Sequence, residues 1–314
     1  MRPAQDPDEA VLIDVTACDA GVDAGARPAQ DSSQTTTIEE HAMSTTDQIT
    51  DHGTAPSSWS DFRSRRHRSL ADPHGILAQV GLHWVDPEQA ARSFDDVPGS
   101  WEIAGNQLTV TWQGEELELL ASSPEVEETR EGELHRATIT TPGDMRVARY
   151  GADVQIDVIR RGGRTGLRLL DPAAPRRTTF SEVPTYPYDP GLVLTGTWTA
   201  RPTEVTVGSA LPWLEQRLPS PGVASLEIGG KRVQLVLTGD ANVLFTDETS
   251  GTTSADWRVV TAELDGDTIT VDFNRAVNFP AAFSAWATCP RPPAANHLAA
   301  AIRAGEKRVT RTER

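Results

Sequence analysis

Six charged or amide side chains in the carboxyl-terminal quarter of the sequence are of types that could do chemistry together. They are Asp247, Arg258, Asp272, Asn274, Arg275 and Glu306. Arginine binds carboxylates and phosphates through a planar fork of donors, and Asp and Glu side chains exchange protons. The set favours a site for an anionic or polar small molecule, with Arg258 and the 272–275 residues at its rim. The alternative is a hydrolase that uses the same residues, with Asp247 or Glu306 as acid or base.

The same residues also allow a purely structural interpretation. Asp272, Asn274 and Arg275, which we call the 272–275 cluster, stand where a strand ends and an irregular segment begins. Asp and Asn side chains there commonly satisfy backbone groups that lack a partner. In this interpretation Glu306 and Lys307 pair with the cluster and hold the carboxyl-terminal end in place. The residues indicate no particular metal or cofactor.

Alternating apolar residues predict the strand that positions the cluster. Residues 268–273 read TITVDF, and Asp265-Gly266 before them is a hairpin turn signal, so residues 257–264 are expected to form the antiparallel partner. After Phe273 the prolines end regular structure, yet the aromatic residues need burial. We therefore predict an ordered, irregular belt over residues 273–309.

The remaining chain predicts a mainly β fold. Short apolar runs recur every few residues with turn residues between them, which is typical of a sandwich or partly open barrel of antiparallel strands. Residues 224–237 around Gly229-Gly230 are the clearest hairpin, and residues 210–220 are expected to form a surface loop. A short helix is predicted near Ser58. The helix carries four arginines, Arg63, Arg65, Arg66 and Arg68. We interpret them as a solvated face rather than an anion-binding patch.

Composition narrows the class of protein. The net charge of −16 argues against nucleic acid as a partner, since a basic face supplies most of that affinity. No apolar run is long enough to span a bilayer, and the sequence shows no signal-peptide pattern, so we expect a cytoplasmic protein. Cys18 and Cys289 are the two cysteines. We interpret Cys289 as a buried structural residue rather than a nucleophile. The oligomeric state is left open.

Three regions differ in composition. Residues 1–56 hold 11 acidic and 2 basic residues, a net charge of −9, and are expected to be a disordered acidic tail. The sequence that begins at Met43 resembles an ordinary start of translation. A second hypothesis is therefore that translation begins at Met43. Residues 57–309 are expected to form a single β-rich domain, and residues 310–314 a disordered tail.

The belt carries a resemblance to a known family. DFNRAVNFPAAFSAWATCPRPPAANHLAAAIRAGEK, residues 272–307, resembles the carboxyl-terminal signature of the bacterial domain of unknown function 1684. FTDETSG, residues 245–251, with Arg258 shortly after, is a second similar block, and the resemblance extends over roughly residues 57–309. The family has no established activity, so the resemblance implies membership and no reaction.

Five of the positions at which the sequence departs from the family signature bear on the chemistry of the site, so we expect a divergent member. A cysteine, a glutamate and an arginine of the signature fall at Ala281, Ala295 and His297, and a Tyr–Gly pattern falls at Ser254 and Trp257. Any role that needs two thiols in the belt is therefore impossible in this chain. If the missing tyrosine or glutamate is catalytic in relatives, this chain is an inactive homologue.

Overall fold

The computed structural model describes residues 55–87, 90–120 and 126–310. The predicted acidic tail up to residue 54, the alternative start at Met43 and the terminal residues 311–314 lie outside the described residues. An α-helix, α1 (Ser57–Ala71), begins the described chain, and a single turn, α2 (Pro175–Thr178), lies near its middle.

Strands make up most of the described chain. The first ten precede α2 and are β1 Gln79–Val85, β2 Arg92–Phe94, β3 Val97–Ala104, β4 Gln107–Gln113, β5 Glu118–Leu119, β6 Val126–Glu131, β7 Leu134–Thr140, β8 Met145–Tyr150, β9 Val154–Arg161 and β10 Arg164–Leu170. The others follow it and are β11 Val193–Gly208, β12 Glu215–Ile228, β13 Lys231–Val236, β14 Asn242–Asp247, β15 Arg258–Thr261, β16 Glu263–Asp265, β17 Thr268–Asp272, β18 Val277–Asn278 and β19 His297–Leu298. The predicted mainly β fold is confirmed.

Two sheets form a sandwich in the amino-terminal half. Their strand orders are β1-β10-β9-β8-β5 and β2-β3-β4-β7-β6, all antiparallel. Alternate residues of both sheets point inward and fill one core, which includes Trp101 and Leu108 from one sheet and Ile156 and Leu167 from the other. This alternation of inward and outward residues is the pattern that the sequence shows.

Two further sheets build the carboxyl-terminal half. Their orders are β13-β12-β11-β17-β16 and β18-β15-β14-β19, and the pairing is antiparallel except between β14 and β19. Their core includes Phe245 and Phe273, whose rings meet edge to face at 5.3 Å. The belt contributes Leu298, Ile302 and Ala304 to this core. The predicted ordered belt is thus observed, with 3₁₀ turns at Phe273–Arg275, Pro280–Ala282 and Ala294–Asn296.

Two hairpin predictions have different outcomes. The hairpin at Gly229-Gly230 is confirmed, since Ile228 pairs with Lys231. The prediction that residues 257–264 pair with β17 is correct only in part. Strand β16 pairs with β17, whereas β15 pairs with β14 in another sheet. The chain changes sheets at Ala262, whose N–H donates to the carbonyl of Ala241 at 2.9 Å.

The predicted loop over residues 210–220 is wrong in its second half. Strand β12 begins at Glu215 and includes Pro219 and Pro221. Its partner β13 reaches only as far as Val223, so residues 215–222 bond to β11 alone in this sheet. A proline is tolerated in a strand whose N–H faces a free edge.

Candidate functional site

Asp247 and Arg258 form a fully buried ion pair beneath the carboxyl-terminal segment. Their strands β14 and β15 are neighbours, and Arg258 Nη2 lies 3.4 Å from Asp247 Oδ2 with both side chains at zero exposure. Arg258 also donates to the carbonyls of Ile302, Ala304 and Glu306. Burial lowers the pKa of Arg258, and the charge of Asp247 opposes that shift. The arginine therefore holds the terminal segment against the sheet.

The carboxylate of Asp247 is saturated by further donors. It accepts from the hydroxyls of Thr249 and Ser250 and from the backbone N–H of Ile302 at 2.7 Å. A buried carboxylate needs such a set of donors, because its desolvation otherwise costs several kcal/mol. The block from Phe245 to Gly251 is thus an internal network around Asp247.

The 272–275 cluster joins three segments of the chain. Asp272 Oδ1 accepts from the N–H and the side-chain amide of Asn274 at 3.0 and 2.9 Å. The Asn274 amide pairs with both backbone groups of Asp189 at 2.8 Å. Arg275 lies 3.3 Å from Asp272, donates to Ser58 on α1 and lies over the ring of Phe62. These are contacts of the kind that the structural interpretation predicts.

Glu306 is fully buried against helix α1. Its carboxylate accepts from Arg66 Nε at 2.9 Å, from the N–H of Asn278 at 2.7 Å and from Arg63 at 3.4 Å. The expected pairing of Glu306 with the 272–275 cluster is therefore not what the structure has. Nor is the helix face of arginines wholly solvated, because Arg66 is only 6% exposed. The helix packs on the belt, which turns two of its arginines inward.

A cavity of about 930 Å³ opens between the belt, the 252–257 turn and the end of the chain. The six side chains named from the sequence lie outside its described lining. Its lining combines small residues with three aromatic and three cationic ones, and consists of Pro184, Tyr186, Ala210, Thr252, Thr253, Ala255, Asp256, Trp257, Phe279, Ala281, Ala282, Ser284, Ala285, Arg291, Lys307, Arg308, Val309 and Thr310. The cavity is large enough for an ordinary small-molecule ligand.

Three cations and one carboxylate line this cavity. Arg291 lies over the ring of Trp257 at 4.8 Å, and Lys307 Nζ lies 4.9 Å from the ring centre of Tyr186. Arg308 donates to the carbonyl of Gly251. Within the described part of the chain, none of the three forms an ion pair. The lining thus has a formal charge of 3 − 1 = +2 in a chain of net charge −16.

Tyr186 connects the cavity to the buried ion pair through hydroxyl groups. Its Oη lies 2.7 Å from Thr253 Oγ1 and 3.2 Å from Ser254 Oγ. Ser254 Oγ is 2.7 Å from Thr249 Oγ1, which bonds to Asp247 at 2.8 Å. Burial raises the pKa of Tyr186, but hydrogen bonds to Ser254, Thr253 and Thr249 together with the charge of Arg258 lower it below the ordinary value. The phenol at the cavity wall is thus joined to the buried network.

Sequence reasoning did not identify the residues of the cavity as a set. Arg291 and Lys307 lie 16 positions apart in the quoted signature, and Tyr186 lies more than 100 positions before them. One signal was present, because two departures from the family signature, Ala281 and Trp257, line the cavity, and a third, Ser254, bonds to Tyr186.

Comparison with known proteins gives a family and several similar structures, and no curated protein matches the chain. An uncharacterised protein of Haloarcula marismortui, solved by solution NMR, is 27% identical over 42% of this chain and 79% of that chain, with a TM-score of 0.35. Residues 178–307 match the model of a family described as a protein of unknown function, DUF1684. This match includes the belt up to Lys307 and most of the cavity wall. The resemblance of the belt to this family is thereby confirmed.

Proposed function

We propose that this chain binds a small organic anion in the 930 Å³ cavity, which we call the cationic cavity. The observation that carries the proposal is the presence of three cations without ion-pair partners among the described residues, on the wall of one cavity. These cations give the lining a formal charge of +2 in a chain of net charge −16, and such a local positive charge favours an anionic ligand. Trp257, Tyr186 and Phe279 supply flat apolar area beside them.

Binding accounts for the geometry better than hydrolysis does. Asp247 and Glu306, the acid–base candidates from the sequence, are each closed in by donors and have no exposed surface on their side chains. A general base must lie within hydrogen-bond reach of its substrate. Arg258 is likewise committed to backbone carbonyls. In our proposal, the six residues named from the sequence position the walls of the cavity. The cationic lining residues contact the ligand.

The proposal also covers membranes, nucleic acids and the domain organisation of the chain. Within the described residues, no helix combines the length and apolarity needed to cross a membrane. The negative net charge supports a role without nucleic acid. A single working unit over residues 57–309 is supported by contacts between the halves, such as Gln79 with Trp286 at 3.3 Å.

Calorimetric titration with benzoate, at low and at high salt, tests the proposal. We expect benzoate to bind more tightly than the neutral isostere benzamide, and the difference to shrink as salt screens the cations. Lys307→Met keeps the apolar stem and removes the charge, so it should weaken benzoate binding about tenfold or more, as expected for loss of a charged hydrogen bond.

The matched control is Arg303→Met, in the same segment. Arg303 is exposed and lies outside the described lining of the cavity, so this variant should bind benzoate like the parent. Native mass spectrometry of the purified chain gives a second measurement, since a retained ligand appears as added mass that Lys307→Met loses. Equal affinity for benzoate and benzamide, or no effect of Lys307→Met, would refute the proposal.

A further inference from the structure

We infer that the ligand is an amphipathic acid, with its anionic head in the cationic cavity and an apolar chain in an adjoining cavity. This inference rests on the proposed function and adds the chemical class of the ligand. The second cavity, which we call the apolar cavity, has a volume of about 350 Å³. Its described lining consists of Leu77, Arg176, Thr179, Phe180, Ser181, Glu182, Pro184, Phe283, Arg308, Val309 and Thr310.

The two cavities adjoin. Both are lined by Pro184 and by the last described residues of the chain, Arg308, Val309 and Thr310. Arg308 lies at their boundary, and its guanidinium donates to the carbonyl of Gly251. A ligand that occupies both cavities would pass these four residues, as the inference requires.

The chemistry changes across the boundary. Leu77 and Phe283 on the far side are buried members of one apolar cluster, and Phe180 and Val309 pack against it. The guanidinium of Arg176 lies over the ring of Trp286 and donates to the carbonyl of Phe283, so it is directed to the protein. The apolar atoms on this wall of the cavity favour contact with a hydrocarbon group.

The volume sets the length of the chain that fits. A methylene group is similar in size to water, whose share of liquid volume is about 30 Å³, so the apolar cavity has room for on the order of ten such groups. A compact anion would occupy only part of the cationic cavity and leave the apolar one empty. A linear chain of medium length with a terminal acid uses both.

Affinities of linear carboxylates from butanoate to dodecanoate, measured by calorimetry on the full chain below their micelle concentrations, test the inference. Each buried methylene is worth about 0.8 kcal/mol, so we expect the affinity to rise about fourfold per methylene and to level off when the cavity is full. Benzoate, measured in parallel, reports on the cationic cavity alone.

Phe180→Gln places a polar amide on the wall of the apolar cavity and should flatten the chain-length series while benzoate still binds. Phe94→Gln is the matched control. Both phenylalanines are half-buried and lie over a histidine at an interplanar angle of 28°, but Phe94 is on β2, away from the cavities. The control should keep the full chain-length dependence.

The outcomes separate the two proposals. Benzoate binding with affinities that do not change along the series overturns the amphipathic ligand and leaves the anion site standing. A rise along the series that Phe180→Gln leaves unchanged also overturns it, because the chain would then lie elsewhere. Absence of binding by benzoate and every carboxylate overturns both. The series on the parent chain decides the inference even where Phe180→Gln fails to fold.

Discussion

Replacing Arg66 by methionine should destabilise the protein strongly, although Arg66 lies far outside the matched residues 178–307. Arg66 provides two contacts to the buried carboxylate of Glu306, at 2.9 and 3.3 Å, and one to the carbonyl of Asn278 at 2.9 Å. Methionine fills a similar volume but leaves the carboxylate with Arg63 at 3.4 Å and the N–H of Asn278.

The expected loss of stability follows from the charge of Glu306, which remains buried in the variant. Removing one partner of a buried ion pair costs about 3–5 kcal/mol, because the other charge remains desolvated. Since Arg63 and one N–H still reach Glu306, we expect the lower end, about 3 kcal/mol. Adding Glu306→Gln to Arg66→Met should then restore about 1–2 kcal/mol, because the amide carries no charge to desolvate.

Equilibrium unfolding in urea, followed by tryptophan fluorescence, measures these differences. Trp59 reports on the helix, since its indole N–H donates to the carbonyl of Asn274 at 3.1 Å. Arg68→Met is the control, because Arg68 is exposed on the same helix and its loss should stay within about 0.5 kcal/mol. The reasoning fails if Arg66→Met matches Arg68→Met, or if adding Glu306→Gln destabilises it further.

Three other variants test separate parts of the structure. Burial raises the pKa of Asp157 to about 6, against a smaller opposing hydrogen bond from Gln155. The native state therefore binds more protons than the unfolded state between about pH 4 and pH 6, and its stability falls as pH rises through that window. Asp157→Asn should add on the order of 2 kcal/mol at pH 7 and nothing below about pH 4, as urea unfolding at both pH values would show. Gly305 has φ 72°, and a Cβ there would lie 2.3 Å from a backbone carbonyl oxygen, so Gly305→Ala should lower the melting temperature far more than Gly266→Ala, where φ is 54° and no atom lies within 4 Å. In an ultraviolet absorbance titration of the three tyrosines, Tyr186→Phe should remove the first phenolate step, because the pKa values of the other two are raised.

The fold class was predictable because it depends on local pattern. Residues 268–272 alternate between apolar and polar, and β17 has that alternation as buried and exposed faces. The glycine pair at 229–230 has positive φ at both positions, which is what a tight hairpin turn requires. Such features act over a few residues, so a single sequence contains them.

The roles of the charged residues were not predictable, because they depend on packing between distant segments. Arg66 meets Glu306 across 240 positions, and nothing near either residue indicates the other. The cationic cavity likewise joins Tyr186, Trp257 and Arg291 from separate segments. Which arginine on an arginine-rich helix turns inward is decided by the surface on which the helix packs.

Stability and binding are linked through the backbone of the carboxyl-terminal segment. Residues 305–307 pair with residues 184–186 in extended form, with the N–H of Tyr186 on the carbonyl of Gly305 and the N–H of Lys307 on the carbonyl of Pro184. Successive side chains of an extended segment point in opposite directions. The side chain of Glu306 is held by helix α1, so that of Lys307 is directed to the opposite side, where the cationic cavity lies. The buried ion pair therefore positions the cation that we expect to contact the ligand, and a variant that frees Glu306 should weaken benzoate binding even where the protein stays folded.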